Sequence, residues 1–181
     1  MSQPGDVVRP LLRVRQVREF TDAAVDDSSL DALADAGRWS GSARNGQPWR
    51  FIVITDPATL REMAQVGMPQ TRSLATAPAA IAIAMPRGEP ASDVSATYDE
   101  GRAAERILVA ATLLGLGAGI AWVRSEIRQP MAEMLGLPPD RYVRTIVAVG
   151  HPTDAASRPK SAPGEARLPR SETVFRERWP A

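Results

Sequence analysis

Two clusters of polar side chains in this chain could do chemistry, and both are better suited to holding a ligand than to attacking one. Arg15-Gln16-Val17-Arg18-Glu19-Phe20 sets two guanidinium groups three residues apart. Planar, permanently charged and forked, such groups suit bidentate recognition of a phosphate, although a solvated basic face would use the same residues. Ser40-Gly41-Ser42-Ala43-Arg44-Asn45-Gly46-Gln47-Pro48-Trp49-Arg50-Phe51 crowds hydroxyl and amide groups just ahead of an apolar run. Short donors on a loop held by a strand are how a protein meets a polar heterocycle or a sugar-like chain. An ordinary polar turn accounts for Ser42 or Asn45 singly and less well for the whole set.

Other chemistries lack their residues. With no cysteine there is no disulfide, thiolate nucleophile or Cys-ligated metal, so redox work would need a cofactor. His151 is the only histidine and stands between a strand end and Pro152, a place for a loop or dimer contact more than for a general base. Asp99, Glu100 and Glu105 read as a solvated helix start, and without a second histidine no metal site is expected. Trp39, Trp49 and Trp122 read as packing anchors, and Met63, Met68, Met131 and Met134 as core filler. Lys plus Arg (22) nearly cancels Asp plus Glu (21), so no broad field exists to attract nucleic acid or an acidic membrane.

The elements that must position these residues follow from pattern. At 181 residues and 44% hydrophobic, one domain is the default, with 152–181, rich in Pro, Ser and Ala, an extended arm. Asp6 can cap a first helix that ends near Arg15. Asp27 or Ser28 opens a second with the stripe Leu30, Leu33, Ala34 and Gly37, Ser28 and Asp31 making a capping-box pattern. Strands are expected at Arg50 to Ile54, Ala79 to Met85, Ile120 to Val123 and Tyr142 to Val149. Asp56-Pro57 starts a helix that Gly67 stops. Pro86 to Ala96 reads as loop and Tyr98 to Leu114 as the longest helix, apolar on nearly every face and so suited to a dimer core. The uncharged run from Ile107 to Val123 is broken by Gly115, Gly117 and Gly119, which reads as buried helix then buried strand, not a membrane span. The N-terminus has no signal-peptide core, which points to the cytoplasm. No Gly-rich loop follows the first strand, against a Rossmann unit.

The order Arg-x-x-Arg-x-Phe, an amphipathic helix, Ser-x-x-Asn-x-Gln-Pro-Trp-x-Phe, a long apolar helix ending Leu-Gly-Leu-Gly, then Val-Gly-His-Pro resembles the nitroreductase family of FMN enzymes from about Arg15 to Val174. Its most specific piece is Ser42 to Phe51. The resemblance implies an α+β fold with a mixed central sheet flanked by helices, an intertwined homodimer, FMN as cofactor, NAD(P)H as electron donor, and a small-molecule acceptor such as a nitroaromatic or quinone. It implies that Arg15, Arg18 and Arg167 meet the FMN phosphate and pyrimidine edge, with Gln16 beside them. Ser42, Asn45 and Gln47 match the loop that reaches the ribityl chain and ring from the partner subunit, and Ala121, Trp122 and Val123 the backbone against the reactive edge of the flavin. No side chain is an obligate catalyst in such a site. NADH and NADPH, and FMN and a deazaflavin, stay open, as does a protein of the same fold that binds a heterocycle without turnover. Many members have Ser at the place of Gln16, Pro at that of Gly41 and Lys at that of Glu165. Lys160, Arg158 and Arg170 are candidates to replace that lysine.

Overall fold

The computed structural model describes residues 3–88, 90–158, 161 and 167–179. Along the chain run α1 (Pro4–Val8), α2 (Asp27–Arg38), β1 (Arg50–Ile54), α3 (Pro57–Val66), β2 (Ala79–Pro86), α4 (Pro90–Leu113), β3 (Gly117–Trp122), α5 (Arg128–Met134), β4 (Arg141–Gly150), α6 (Asp154–Ser157) and α7 (Arg170–Thr173). The strands form one sheet in the order β1-β2-β4-β3, antiparallel at each pairing. The expected parallel character is limited to a bridge between Gln16 and Ala118 at the β3 edge.

Central strands with apolar residues on both faces need cover on both sides. On one face Ile81, Ile83, Met85, Val147 and Val149 pack under α2 and α4 through Leu30, Leu33, Ile107 and Leu108. On the other, Ala80, Ala82, Ala148 and Ile146 meet Leu60, Met63 and Met131 from α3 and α5. Small alanines on that second face let α3 and α5 sit close.

Helix ends show where local pattern was and was not sufficient. Asp56 caps α3 by accepting from the Thr59 amide, with Pro57 at the first position and Gly67 closing the helix, as the sequence reading expects. For α2 the cap is Asp26, one residue before the expected start; its carboxylate accepts from the Ser29 amide at 2.8 Å and from both serine hydroxyls. Asp6 caps nothing: α1 begins at Pro4 and Asp6 instead pairs with Arg9.

Two larger boundaries moved. The long helix begins at Pro90 rather than Tyr98, because proline at a first helical position needs no amide partner. Its buried positions Asp99, Glu100, Ala103, Ala104, Ile107, Leu108 and Ala111 form one stripe, so α4 is covered on one side only, while Val94, Tyr98 and Leu113 stay exposed. β3 begins at Gly117, not Ile120. Its glycines mark a close backbone approach, since a Cβ on Gly119 would lie 2.0 Å from the Val17 carbonyl oxygen. Trp49 is buried beside Phe51, but Trp39 and Trp122 are exposed and only the first of the expected anchors packs in the core. Met63 and Met131 are buried and Met134 lies partly so against the core, whereas Met68 is exposed. Among the described residues no helix is long and apolar enough to cross a membrane.

Gly119→Ala should therefore displace the Val17 backbone and cost about 1–3 kcal/mol or more by overpacking, read as a lowered denaturant midpoint; wild-type stability would mean that the segment yields freely. A second expectation concerns acid. Hydrogen bonds from Ser28 and Ser29 hold the Asp26 carboxyl down at about 2, against an ordinary 3.8. Its stabilising contribution is complete above the unfolded value and is lost as pH falls through about 2. Asp26→Asn keeps an oxygen acceptor but does not titrate, so the difference in melting temperature between wild type and variant should shrink or reverse across that window.

Candidate active site

The segment carrying the first motif lies on the edge of β3. The Val17 amide donates to the Ala118 carbonyl at 2.9 Å, and the Ile120 amide donates to the Gln16 side-chain oxygen at 2.7 Å. Val17 is buried against Gly117 while Arg15, Gln16 and Arg18 point to the surface. Farther on, the Thr21 amide donates to the His151 carbonyl, the Thr153 amide to Glu19, and Phe20 bridges Pro152. His151 is thus a backbone contact with an exposed side chain. The Arg15 guanidinium donates to the Ser157 carbonyl at 2.7 Å, which ties the motif to the last residue of α6. Arg18 has no hydrogen-bond or ionic partner among the described residues.

β3 also carries the second group of expected contacts. Ala121 and Val123 are buried and Trp122 is half exposed, with Ala121 opposite Ile146 and Trp122 opposite Thr145. The Val123 amide donates to the Arg144 carbonyl at 2.8 Å. Arg144 is the extra residue of a β-bulge: Ile83 faces Thr145 and Ala84 faces Val143, leaving Arg144 between them. A bulge re-aims a side chain, and here the guanidinium turns under α4 to pair with Glu100, with a further bond to Thr97 at 2.9 Å. The pair is almost sealed, at 9% and 2% side-chain exposure. Tyr142 lies below it, its ring 5.7 Å from the Arg144 guanidinium and 5.0 Å from that of Arg128.

The second motif occupies the loop before β1. Arg44, Asn45 and Gln47 have φ of 53°, 55° and 44°. Left-handed backbone is uncommon outside glycine and costs on the order of 1–3 kcal/mol per residue. A loop that holds three such residues is constrained by its surroundings. The Ser42 hydroxyl accepts from the Gln47 amide at 2.9 Å, Asp99 accepts from the Ala43 amide at 2.9 Å, and Arg141 donates to the Pro48 carbonyl at 3.1 Å. Outward, Asn45 and Gln47 are exposed. The sequence reading made Asp99 and Glu100 solvated; both are buried, at 5% and 1% exposure, and each holds one part of the candidate site. Their only sequence signal was position on a helix whose pattern fitted a charged surface equally well.

The expected residues therefore come together as two groups. Arg15, Gln16, Arg18 and the Ala121–Val123 backbone share the β3 edge, while Ser42, Asn45 and Gln47 stand at the β1 edge. With β2 and β4 between, the two edges are roughly 14 Å apart, three strand spacings. Arg167 is exposed on the arm; Lys160 and Glu165 lie outside the described residues. The donors fit a phosphorylated, sugar-linked heterocycle such as FMN: exposed guanidinium groups for the phosphate, hydroxyl and amide groups for the polyol, and a buried backbone edge for the ring. Gly41 also has its reason, since a Cβ there would lie 2.4 Å from the Arg102 Nη2. Among the described residues no cluster of His, Asp or Glu could hold a metal ion.

This chain resembles known proteins in sequence and in fold. The profile of the Nitroreductase family matches residues 13–76, which contain both motifs. The "Putative NADH dehydrogenase/NAD(P)H nitroreductase" of Archaeoglobus fulgidus is 32% identical over 145 residues, 77% of this chain and 82% of that protein. Among solved structures, a protein of the same description from Parabacteroides distasonis superposes with a TM-score of 0.80 at 26% identity, over 96% of this chain and 99% of the other. An FMN-dependent nitroreductase from Clostridium difficile does so with 0.79 at 25% identity, over 92% and 97%.

The buried pair gives a test. Glu100→Ala leaves the Arg144 guanidinium enclosed without its counter-charge and should cost about 3–5 kcal/mol, measured by urea denaturation. Replacing both partners with apolar residues of similar size should recover much of that loss. Equal destabilisation in the single and double variants would mean that the pair is held by packing alone.

Proposed function

Since this chain belongs to the nitroreductase family of oxidoreductases, we propose that two copies form an intertwined dimer that binds FMN and passes hydride from NAD(P)H to a nitroaromatic, quinone or similar electrophilic acceptor. The observation that carries this reading is the division of ligand-binding groups between opposite edges of one sheet. A second copy that brings its Ser42–Gln47 loop to the β3 edge of the first completes each site, and twofold symmetry makes two such sites.

Exposed apolar surface supports the pairing. The outer face of α4 presents Val94, Tyr98 and Leu113 and a groove of about 740 Å³ between Tyr98, Arg102 and Arg106. Trp179, packed on Phe175 at a ring distance of 4.7 Å, remains largely exposed at the end of the chain. Residues 152–181 then act as an arm of a single-domain protomer, laid over its partner. The interface would exceed roughly 2,000 Å², the start of the obligate range.

Each residue group has a binding role. Arg15, Arg18 and Arg167 neutralise the phosphate with charge-assisted hydrogen bonds. Gln16 keeps its side-chain nitrogen for the ring edge while its oxygen holds the Ile120 amide. Ser42, Asn45 and Gln47 orient the polyol, and the Ala121–Val123 backbone lines the ring. When bound, FMN supplies the hydride chemistry; the protein supplies orientation and excludes water. Were donor and acceptor to use one site in turn, turnover would be ping-pong, and on this reading the reaction belongs in the cytoplasm.

Identifying the compound released by denaturing freshly purified protein tests the cofactor. Arg15→Ala or Arg18→Ala should weaken FMN by about 1.5–3 kcal/mol, the range for a hydrogen bond to a charged group, whereas His151→Ala should keep most of the activity. Initial rates over both substrates should give parallel double-reciprocal lines, and intersecting lines would require a ternary complex. A stable folded monomer in sedimentation would remove the shared site.

A further inference from the structure

We propose that Asp99 is a positioning residue that sets the ligand-facing conformation of the Ser42–Gln47 loop, a role that rests on the flavin-binding reading above. α4 carries Asp99, Arg102 and Arg106 along one face, three and four residues apart. Each meets the backbone of the chain arriving from α2, and in reverse order. The Arg106 guanidinium donates to the Trp39 carbonyl at 2.7 Å. Arg102 lies over Gly41, in space that a Cβ would fill. Asp99 accepts from the Ala43 amide at 2.9 Å, with the Arg102 guanidinium 3.7 Å away.

The contacts fall on alternate residues 39, 41 and 43, from the turn that ends α2 at Trp39 (φ −81°, ψ 10°) to the residue after the extended Ser42, while the three or four residues of helix between successive contacts cover roughly 4.5–6 Å. The chain is thus fastened along α4 until Ala43, then turns through left-handed Arg44, Asn45 and Gln47. Asp99 is the last fastening before that turn, and its side chain is only 7% exposed. A carboxylate taken out of water is costly unless hydrogen bonds and a counter-charge replace the solvent, and here the Ala43 amide and the Arg102 guanidinium supply them. The amide at Ala43 fixes the exit direction of the turn that presents Asn45 and Gln47.

The test uses the full chain and two variants that break the same bond from opposite ends. Asp99→Ala removes the acceptor. Ala43→Pro removes the donor at an exposed position whose predecessor, Ser42, already has the extended backbone that proline favours (φ −136°, ψ 159°). In flavin-free protein, amide hydrogen exchange across residues 44–47 should speed up roughly tenfold or more in each variant, while β2 and β4 stay protected. FMN titration followed by flavin fluorescence should show an affinity loss of similar size. Asp99→Asn, which keeps an oxygen acceptor, should restore most of both. Unchanged exchange in the loop of either variant overturns the proposal, as does protection lost throughout the sheet, which would make Asp99 a general stabilising residue. If wild type itself binds no FMN, the flavin reading fails, and the exchange comparison still decides whether Asp99 holds the loop.

Discussion

A four-stranded antiparallel sheet has two edges, and the backbone groups along them must find partners or face water. At the β3 edge the partner is the stretch carrying Arg15, Gln16 and Arg18. Val17 supplies a main-chain bond to Ala118 and Gln16 a side-chain bond to Ile120, and Gly119 lets the two backbones close. Covering that edge and displaying its cationic groups are one event. Val17 is drawn inward, so its neighbours at 16 and 18 are left outside.

The opposite edge is solved differently. Among the described residues β1 pairs only with β2, and the loop that enters it is held from the side by α4 and from below by Arg141. That support allows Arg44, Asn45 and Gln47 to keep a backbone that an unsupported loop would relax. Buried charge serves placement in both halves: Asp99 fastens the loop, and the next residue, Glu100, pairs with the bulged Arg144 whose carbonyl receives the Val123 amide. One turn of α4 thus reaches the loop before the edge strand β1 and the central strand β4 that pairs with β3, so a shift of this helix would disturb the support of both groups of candidate ligand contacts together.

The same helix explains the proposed assembly. Its inner stripe closes one layer of the core, while its outer face keeps Val94, Tyr98 and Leu113 in solvent. Under the proposed assembly, cover of this face by a second copy would stiffen the support on which the Ser42–Gln47 loop rests and so would make cofactor affinity sensitive to pairing.

What the sequence alone determined was local. Apolar runs and turn residues placed β1, β2 and β4 close to their observed limits, and Asp56-Pro57 and Gly67 bounded α3, because each signal acts within a few residues. The spacing of Arg15 and Arg18 and the composition of Ser42–Gln47 marked both candidate motifs for the same reason. Tertiary structure decided the rest. Gly117 and Gly119 look like strand breakers until Val17 lies against them. Asp99 and Glu100 look solvated until their partners, Ala43 and Arg144, arrive from distant strands and loops. Whether a charged side chain is buried depends on a partner far along the chain, and no local pattern carries that information.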